Sequence, residues 1–393
     1  MSVPKHATVV VIGGGVVGAS VAHHLAARGL RGVVVLDRAD RPGLGSTGKA
    51  TGGFRAQYGT AINVRLSLLA RESLTRFEEE TGVDPGYART GYLWLATTPT
   101  SLSALVHANR MQRSEGLLEA AMVSPEEIAR LNPFVALDGV LGGAFCATDG
   151  FVLPLAMLEG YRAAAERGGA RFVWGAEVLA MRADAGGRRV RAVECASGRI
   201  DCDTVVNAAG AWAKAVAAMA GVALPVEPLR RQVLPTVPTH ALPDSMPMTI
   251  WADDGYHLRA RDGRALLLWP SPGAPGRPFE TAVDPEWMSQ VEAATRRRVP
   301  ALAGVAVDSA AAWGGLYEIS PDKHAILGRA SECENLYLAN GSSGHGVMHA
   351  PALGRLLAEI MTGTDGKATS LDVRALRPSR FAEGEAVEGP ALL

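Results

Sequence analysis

Three features of this 393-residue sequence predict an α/β protein (α+β overall). A β-branched run near the start leads straight into a glycine-rich turn and then a helical pattern. Strand and helix patterns return at 149–178, again at 190–212 and again after 334, while proline-punctuated short strands crowd 222–316. This order predicts one βαβ-based domain assembled from the discontinuous segments 1–82, 149–221 and 317–380. A second, mostly antiparallel β domain is expected from 83–148 and 222–316, with a C-terminal tail at 381–393.

The first element is TVVVI at 8–12, a continuous apolar run suited to a parallel strand buried on both faces. Gly13, Gly15 and Gly18 follow in the pattern G-x-G-x-x-G, and a helical pattern runs to about Arg28, stopped by Gly29. A second run, VVVLD, ends in Asp37, nineteen residues beyond Gly18. Strand, glycine turn, helix, strand and terminal acid together form a Rossmann-like dinucleotide fingerprint. The helix N-terminus faces the pyrophosphate, and the acid bonds a ribose hydroxyl.

After the second strand the sequence turns to GSTGKATGGFRAQYG, residues 45–59, glycine-dense and then carrying Arg55. Ordering such a chain costs entropy, and it is kept where backbone must pass close to a ligand. A nicotinamide domain would continue with further βαβ units. Here extended backbone leaves the second strand as if following a larger cofactor to its reactive ring, which favours FAD.

The helical pattern INVRLSLLARESLTRFEEETG comes next, then a strand at GYLWLAT (91–97) and a helix over 100–116. Ser124, Pro125 and Glu127 form a capping box with proline at the first helical position. DGFVLPLAMLEGYRAAAERGGARFVWGAEV reads as turn, helix and strand, and a meander follows that closes in TVVNAAG and Trp212. ENLYLAN is a strand, and GSSGHGVMHAPALGRLLAEIMTG a glycine turn into an amphipathic helix.

Composition excludes other classes. With 39 basic and 40 acidic residues, charge gives no support for nucleic-acid binding. No apolar run approaches the ~20 residues that span a bilayer, and the start lacks a signal-peptide layout. Cys146, Cys195, Cys202 and Cys333 are dispersed without a C-x-x-C pair, and the histidines show no metal spacing. A cytoplasmic protein without a metal site is expected.

Four stretches in order, VVVIGGGVVGASVAHHLAARG…VVVLD, GSTGKATGGFR, TVVNAAGAW and WGGLYEISPDKHAILG…LYLANGSSGHGVMHAPALG, resemble the D-amino-acid oxidase/glycine oxidase superfamily of FAD enzymes. The similarity is to its sarcosine oxidase, dimethylglycine dehydrogenase and proline dehydrogenase beta-subunit branch. The resemblance implies that Gly13, Gly15, Val16, Val17 and Gly18 form the pyrophosphate turn, and that Asp37 holds the adenosine ribose with Arg38 beside it. Gly45, Ser46 and Thr47 would meet the pyrophosphate, and Ala50, Thr51, Gly52 and Gly53 would pass the flavin ring. Val178 would meet adenine through backbone, and Ala208, Ala209, Gly210 and Trp212 would pass behind the nucleotide. Gly344, His345, Gly346, Val347 and Met348 would lie by the flavin's pyrimidine end, where a helix N-terminus stabilises negative charge on the ring.

In the similar oxidases the residue matching Arg55 binds the substrate carboxylate. A forked guanidinium does this through two hydrogen bonds. Tyr256, His257 and Tyr317 are expected over the substrate. The reaction implied is hydride transfer to flavin N5 from the carbon beside a secondary or tertiary amine such as sarcosine, dimethylglycine or proline. Three positions depart from the resemblance. Gly315 stands where those oxidases attach flavin through cysteine, so FAD is expected to be non-covalent. Met348 replaces a carboxylate-clamping lysine, and no lysine occurs at 266–269, where one activates oxygen. The acceptor is therefore O2 or a protein or quinone. A 2-hydroxy-acid dehydrogenase using His257 or His345 as base stays open. So do a flavin subunit of a larger complex, a homo- or hetero-oligomer, and a flavin-binding sensor without turnover.

Overall fold

The β-branched run at the start becomes strand His6–Ile12, at the middle of the first of two large sheets. The computed structural model describes residues 3–270, 277–363 and 369–389. Parts of the expected segments at 1–2, 271–276, 364–368 and 390–393 lie outside these residues.

Strand His6–Ile12 pairs in parallel with Val33–Leu36 on one side and Gly198–Asn207 on the other. Arg171–Val173 and Leu336–Asn340 extend the parallel array outward, and Ile326–Arg329 closes one edge antiparallel. Every residue of Val33–Leu36 is buried, as a strand covered on both faces requires. Helices Val16–Ala27, Pro154–Arg167, Ala61–Thr75 and Gly346–Thr362 pack together over one face, sealing Val9, Val11, Leu25, Leu66, Leu158 and Leu356. The expected single helix after residue 60 is divided: Ala61–Thr75 stops at Arg76, and a short helix, Phe77–Thr81, ends at Gly82 in the left-handed region.

The second sheet runs in the order Trp313–Ile319, Glu227–Pro235, Arg264–Leu268, His257–Arg261, Met248–Trp251, Tyr92–Ala96, Gly142–Cys146, Ala120–Val123. Its pairings are antiparallel except that of Met248–Trp251 with Tyr92–Ala96. The expected domain boundary at 317 cuts through strand Trp313–Ile319. That strand pairs with Glu227–Pro235 over its whole length, from Ile319 opposite Glu227 to Trp313 opposite Val233. Both Ser124 and Thr98 carry capping boxes.

Asp322, in the P-D turn after this strand, forms a fully buried ion pair with Arg380 (Nε to Oδ2 2.8 Å) and also accepts from the Val387 amide. The C-terminal segment is thereby anchored to the turn between the two sheets.

Close packing of helix Val16–Ala27 on Gly346–Thr362 depends on Gly354. A Cβ there would lie 2.6 Å from the Ser20 backbone carbon, while the Ser20 hydroxyl donates to the Ala350 carbonyl at 2.8 Å. Gly354→Val should therefore push the helices apart and cost about 1–3 kcal/mol, as overpacked cores do. Denaturant unfolding measures this, and an unchanged midpoint would contradict the contact.

Candidate active site

A cavity of about 970 Å³ lies between the two sheets, at the upper end of the volumes usual for ligand sites. Its floor begins at the glycine turn. Gly13 sits at φ +108°, and a side chain there would run into the Ala208 carbonyl. The Gly14 amide donates to Asp37 Oδ2 at 2.7 Å, and the Ala39 amide to Asp37 Oδ1 at 2.8 Å. Asp37 lines the cavity, so each carboxylate oxygen keeps a lone pair for a ribose hydroxyl. Gly18 does not line the cavity. A side chain there would strike the Gly13 carbonyl, so this glycine serves the close approach of helix to turn.

The 45–55 loop crosses the cavity, tethered by helix Val16–Ala27 on one side and by the second sheet on the other. Thr47 Oγ1 accepts from the Val16 amide at 3.1 Å, at the first turn of helix Val16–Ala27. The Ser46 hydroxyl, expected on the pyrophosphate, donates to the Leu316 carbonyl at 2.7 Å, so its proton is already used and only its lone pairs and backbone can face the nucleotide. The Val152 amide donates to the Gly52 carbonyl, Arg259 Nη1 to the Thr51 carbonyl at 2.6 Å, and Trp313 Nε1 to the Lys49 carbonyl. Gly45, Ala50 and Gly53 line the cavity with them.

The remaining cofactor candidates converge on the same space. Val178, Ala208, Ala209, Gly210 and Trp212 line it, with the Arg38 guanidinium 4.7 Å from the Trp212 ring. Gly344, Gly346, Val347 and Met348 line the other end, beside the N-terminus of helix Gly346–Thr362. Gly344 is at φ +93° with its backbone against the Tyr317 ring. A Cβ on Gly45 or Gly210 would meet nothing within 4 Å, so bare backbone faces open cavity there. The shape, the amides at the glycine turn and the acid at Asp37 fit a dinucleotide.

Arg55 is 4 % exposed. Its guanidinium lies 4.6 Å from the Tyr58 ring centre and 5.0 Å from that of Trp94, and Nη2 is 3.4 Å from His345 Nε2. A guanidinium only donates, so this His345 nitrogen carries a lone pair. Tyr58 donates to Met348 Sδ at 3.1 Å, and burial pushes its phenol up to about 12. Beneath the loop, Asp149 accepts from the amides of Ala56 at 2.8 Å and Gln57 at 3.4 Å. Burial raises its carboxyl to about 7, against the pull of those amides.

The second sheet forms the roof. Tyr317 and His257, expected over the substrate, line the cavity. His257 Nδ1 donates to the Gly255 carbonyl at 2.8 Å, leaving Nε2 as acceptor. Burial, with the charges of Arg55 and Arg231 adding to it, lowers His257 to about 4. Tyr256 is corrected. It faces the opposite side of the sheet, is fully buried, bonds Thr295 Oγ1 at 2.7 Å and packs on Trp251 and Trp269. Adjacent strand residues point to opposite faces, so His257 and Tyr256 cannot both face the cavity. Leu268 lines the roof in the stretch where no lysine occurs.

A model of the family described as "FAD dependent oxidoreductase" (DAO) matches residues 8–360. The chain belongs to this family. FAD is accordingly the dinucleotide for the cradle. Among relatives, 4-methylaminobutanoate oxidase (formaldehyde-forming) of Paenarthrobacter nicotinovorans is 27% identical over 94% of this chain and 46% of its own length. Mitochondrial dimethylglycine dehydrogenase of Rattus norvegicus is 30% identical over 96% of this chain and 45% of its own length. The chain thus spans a little under half of either relative. The crystal structure of L-proline dehydrogenase from P. horikoshii superposes with a TM-score of 0.89 at 29% identity, covering 98% of this chain and 100% of that one.

Sequence reasoning missed Tyr58, Trp94, Asp149, Arg231 and Arg259. Trp94 had no local signal, since it reads as one apolar residue of a strand in the other domain. Arg231 lines the cavity with its strand neighbours Leu229, Gln232 and Val233, while Arg230 donates to the Ala282 carbonyl.

The low value for His257 carries a definite sign. The folded form resists protonation that the unfolded form accepts below about 6.5, so the residue's stabilising contribution is fully present above that pH. It is lost as pH falls towards about 4. The stability advantage of the wild type over His257→Asn should narrow over that window in pH-dependent melts. An advantage that grew on acidification would contradict a buried neutral imidazole.

Proposed function

We propose that the protein oxidises the C–N bond of a small secondary or tertiary amine bearing a carboxylate, an amino acid of the sarcosine, dimethylglycine or proline type. The single observation carrying this reading is Arg55, a buried guanidinium at the cavity wall, fixed between Tyr58 and Trp94 on the loop that crosses the cofactor cradle. The names of the three proteins compared above, a methylaminobutanoate oxidase, a dimethylglycine dehydrogenase and an L-proline dehydrogenase, support it.

FAD, when bound, supplies the hydride acceptor. Arg55 holds the carboxylate and so fixes the attached Cα–H. The two nearby guanidinia and the buried, neutral His257 disfavour a protonated amine, and only the neutral amine has a lone pair to expel hydride. Tyr317 and Leu268 line the roof over the substrate space. His257 Nε2, an unprotonated acceptor on the cavity, gives the hydroxy-acid reading its one specific support, since that chemistry needs a base. The four cysteines are buried free thiols, as suits a reducing compartment such as the cytoplasm. Among the described residues no helix is long and apolar enough to cross a membrane.

Gly315 offers no side chain for attachment, and a Cβ there would press on Lys49 Cβ at 2.9 Å. The flavin is therefore held non-covalently, and acid precipitation should leave it in the supernatant; flavin remaining in the protein pellet would refute this.

Anaerobic mixing with an amine panel tests the reaction. Bleaching of the flavin by sarcosine, proline or dimethylglycine is expected, followed by slow recolouration in air because the roof at 266–269 lacks a cation. Bleaching by 2-hydroxy acids alone would transfer the assignment to that chemistry. The absence of any bleaching would leave only a binding role.

A further inference from the structure

Arg231 lines the cavity and has so far been given no ligand of its own. It sits on strand Glu227–Pro235 directly opposite Gly315, and with no side chain there its guanidinium reaches across to lie 5.7 Å from the Tyr317 ring centre. Among the described residues it makes one long hydrogen bond, Nη1 to the Arg230 carbonyl at 3.3 Å, and no ion pair with a carboxylate. Burial lowers its pKa, the mark of a cation taken from water without a counter-ion.

Arg55 approaches the same place from the 45–55 loop. The charges of both arginines act on His257 and on Tyr317, so the two cations flank one part of the cavity. The acid nearest on the roof strand, Glu318, accepts from the Ser342 amide, and burial raises it to about 7, so it offers neither cation a full negative charge at neutral pH. Asp37 is engaged with the backbone of the glycine turn at the nucleotide end. A substrate with one carboxylate on Arg55 would leave the Arg231 guanidinium, half-buried on the cavity wall, without an acidic partner among the described residues.

We infer that Arg231 forms a second anion subsite, so that the preferred substrates are amines carrying two acidic groups, one held by Arg55 and one by Arg231. This rests on the reading that Arg55 takes a carboxylate. The second acid belongs on the nitrogen substituent or on the amino-acid side chain. Tyr317 lies between the two sites as the spacer surface along which the carbon skeleton runs.

The test needs no turnover. FAD-loaded protein is titrated with unreactive acids of matched chain length, butyrate against succinate and pentanoate against glutarate. Binding is followed by the flavin difference spectrum and, independently, by thermal shift. The diacid should bind about tenfold or more tightly than its partner, the gain of one desolvated charge pair. Arg231→Met should bring that ratio close to one, and Arg231→Lys, which keeps the charge, should retain part of it and show that the fold survives. A wild-type protein with no preference for the diacid would overturn the inference, as would Arg231→Met weakening both acids in the same proportion. Arg55→Met separates the two readings. If it weakens neither acid, the carboxylate role of Arg55 fails, while the ratio lost in Arg231→Met still stands on its own. The same matched comparison with N-methylglycine and N-(carboxymethyl)glycine, by anaerobic flavin reduction, should favour the diacid. Faster reduction by the monoacid would count against the inference.

Discussion

The loop at 45–55 can serve the site only because it is held from both sides at once. Helix Val16–Ala27 bonds it through Thr47, the Val152 backbone through Gly52, and the second sheet through Arg259 and Trp313. Asp149 takes the two amides just beyond it. A glycine-rich segment loses more conformational freedom on ordering than any other, and no side chains of its own can offset that. The neighbours must do so through backbone carbonyls and amides. The consequence is positional: Arg55, at the end of this tethered ribbon, emerges with its guanidinium fixed between two aromatic rings.

The electrostatics of the cavity follow from that burial. Asp149 and Glu318 are each raised to about 7, and His257 is lowered to about 4, all chiefly by loss of water. Desolvation thus removes charge from groups that can shed it. Guanidinium cannot, because its pKa starts so high. Arg55 and Arg231 remain as fixed cations in a cavity where other groups are neutral or partly so, which suits an anionic substrate with an uncharged amine.

Much of the first sheet was legible in the sequence because its signals are local. TVVVI, the three glycines and Asp37 lie within one βαβ unit, and short-range sterics fix their relation. The end of helix Val16–Ala27 before Gly29, at φ +86°, was legible for the same reason. The placement of Tyr256 failed on strand parity: Tyr256 and His257 are neighbours in sequence, and only the pairing of His257 with Leu268 and Ile250 decides which of them faces the cavity.

The sequence by itself determined the nucleotide cradle, the glycine loop and the presence of a cation at its end, because each depends on backbone conformation set by adjacent residues. Only the tertiary structure decided what surrounds that cation. Tyr58 is close in the chain, but Trp94, Asp149, Arg231, His257 and His345 come from strands and turns far apart, and nothing short of two sheets closing over one cavity brings them together. Side-chain environment is a property of non-local packing, and local pattern carries no record of it.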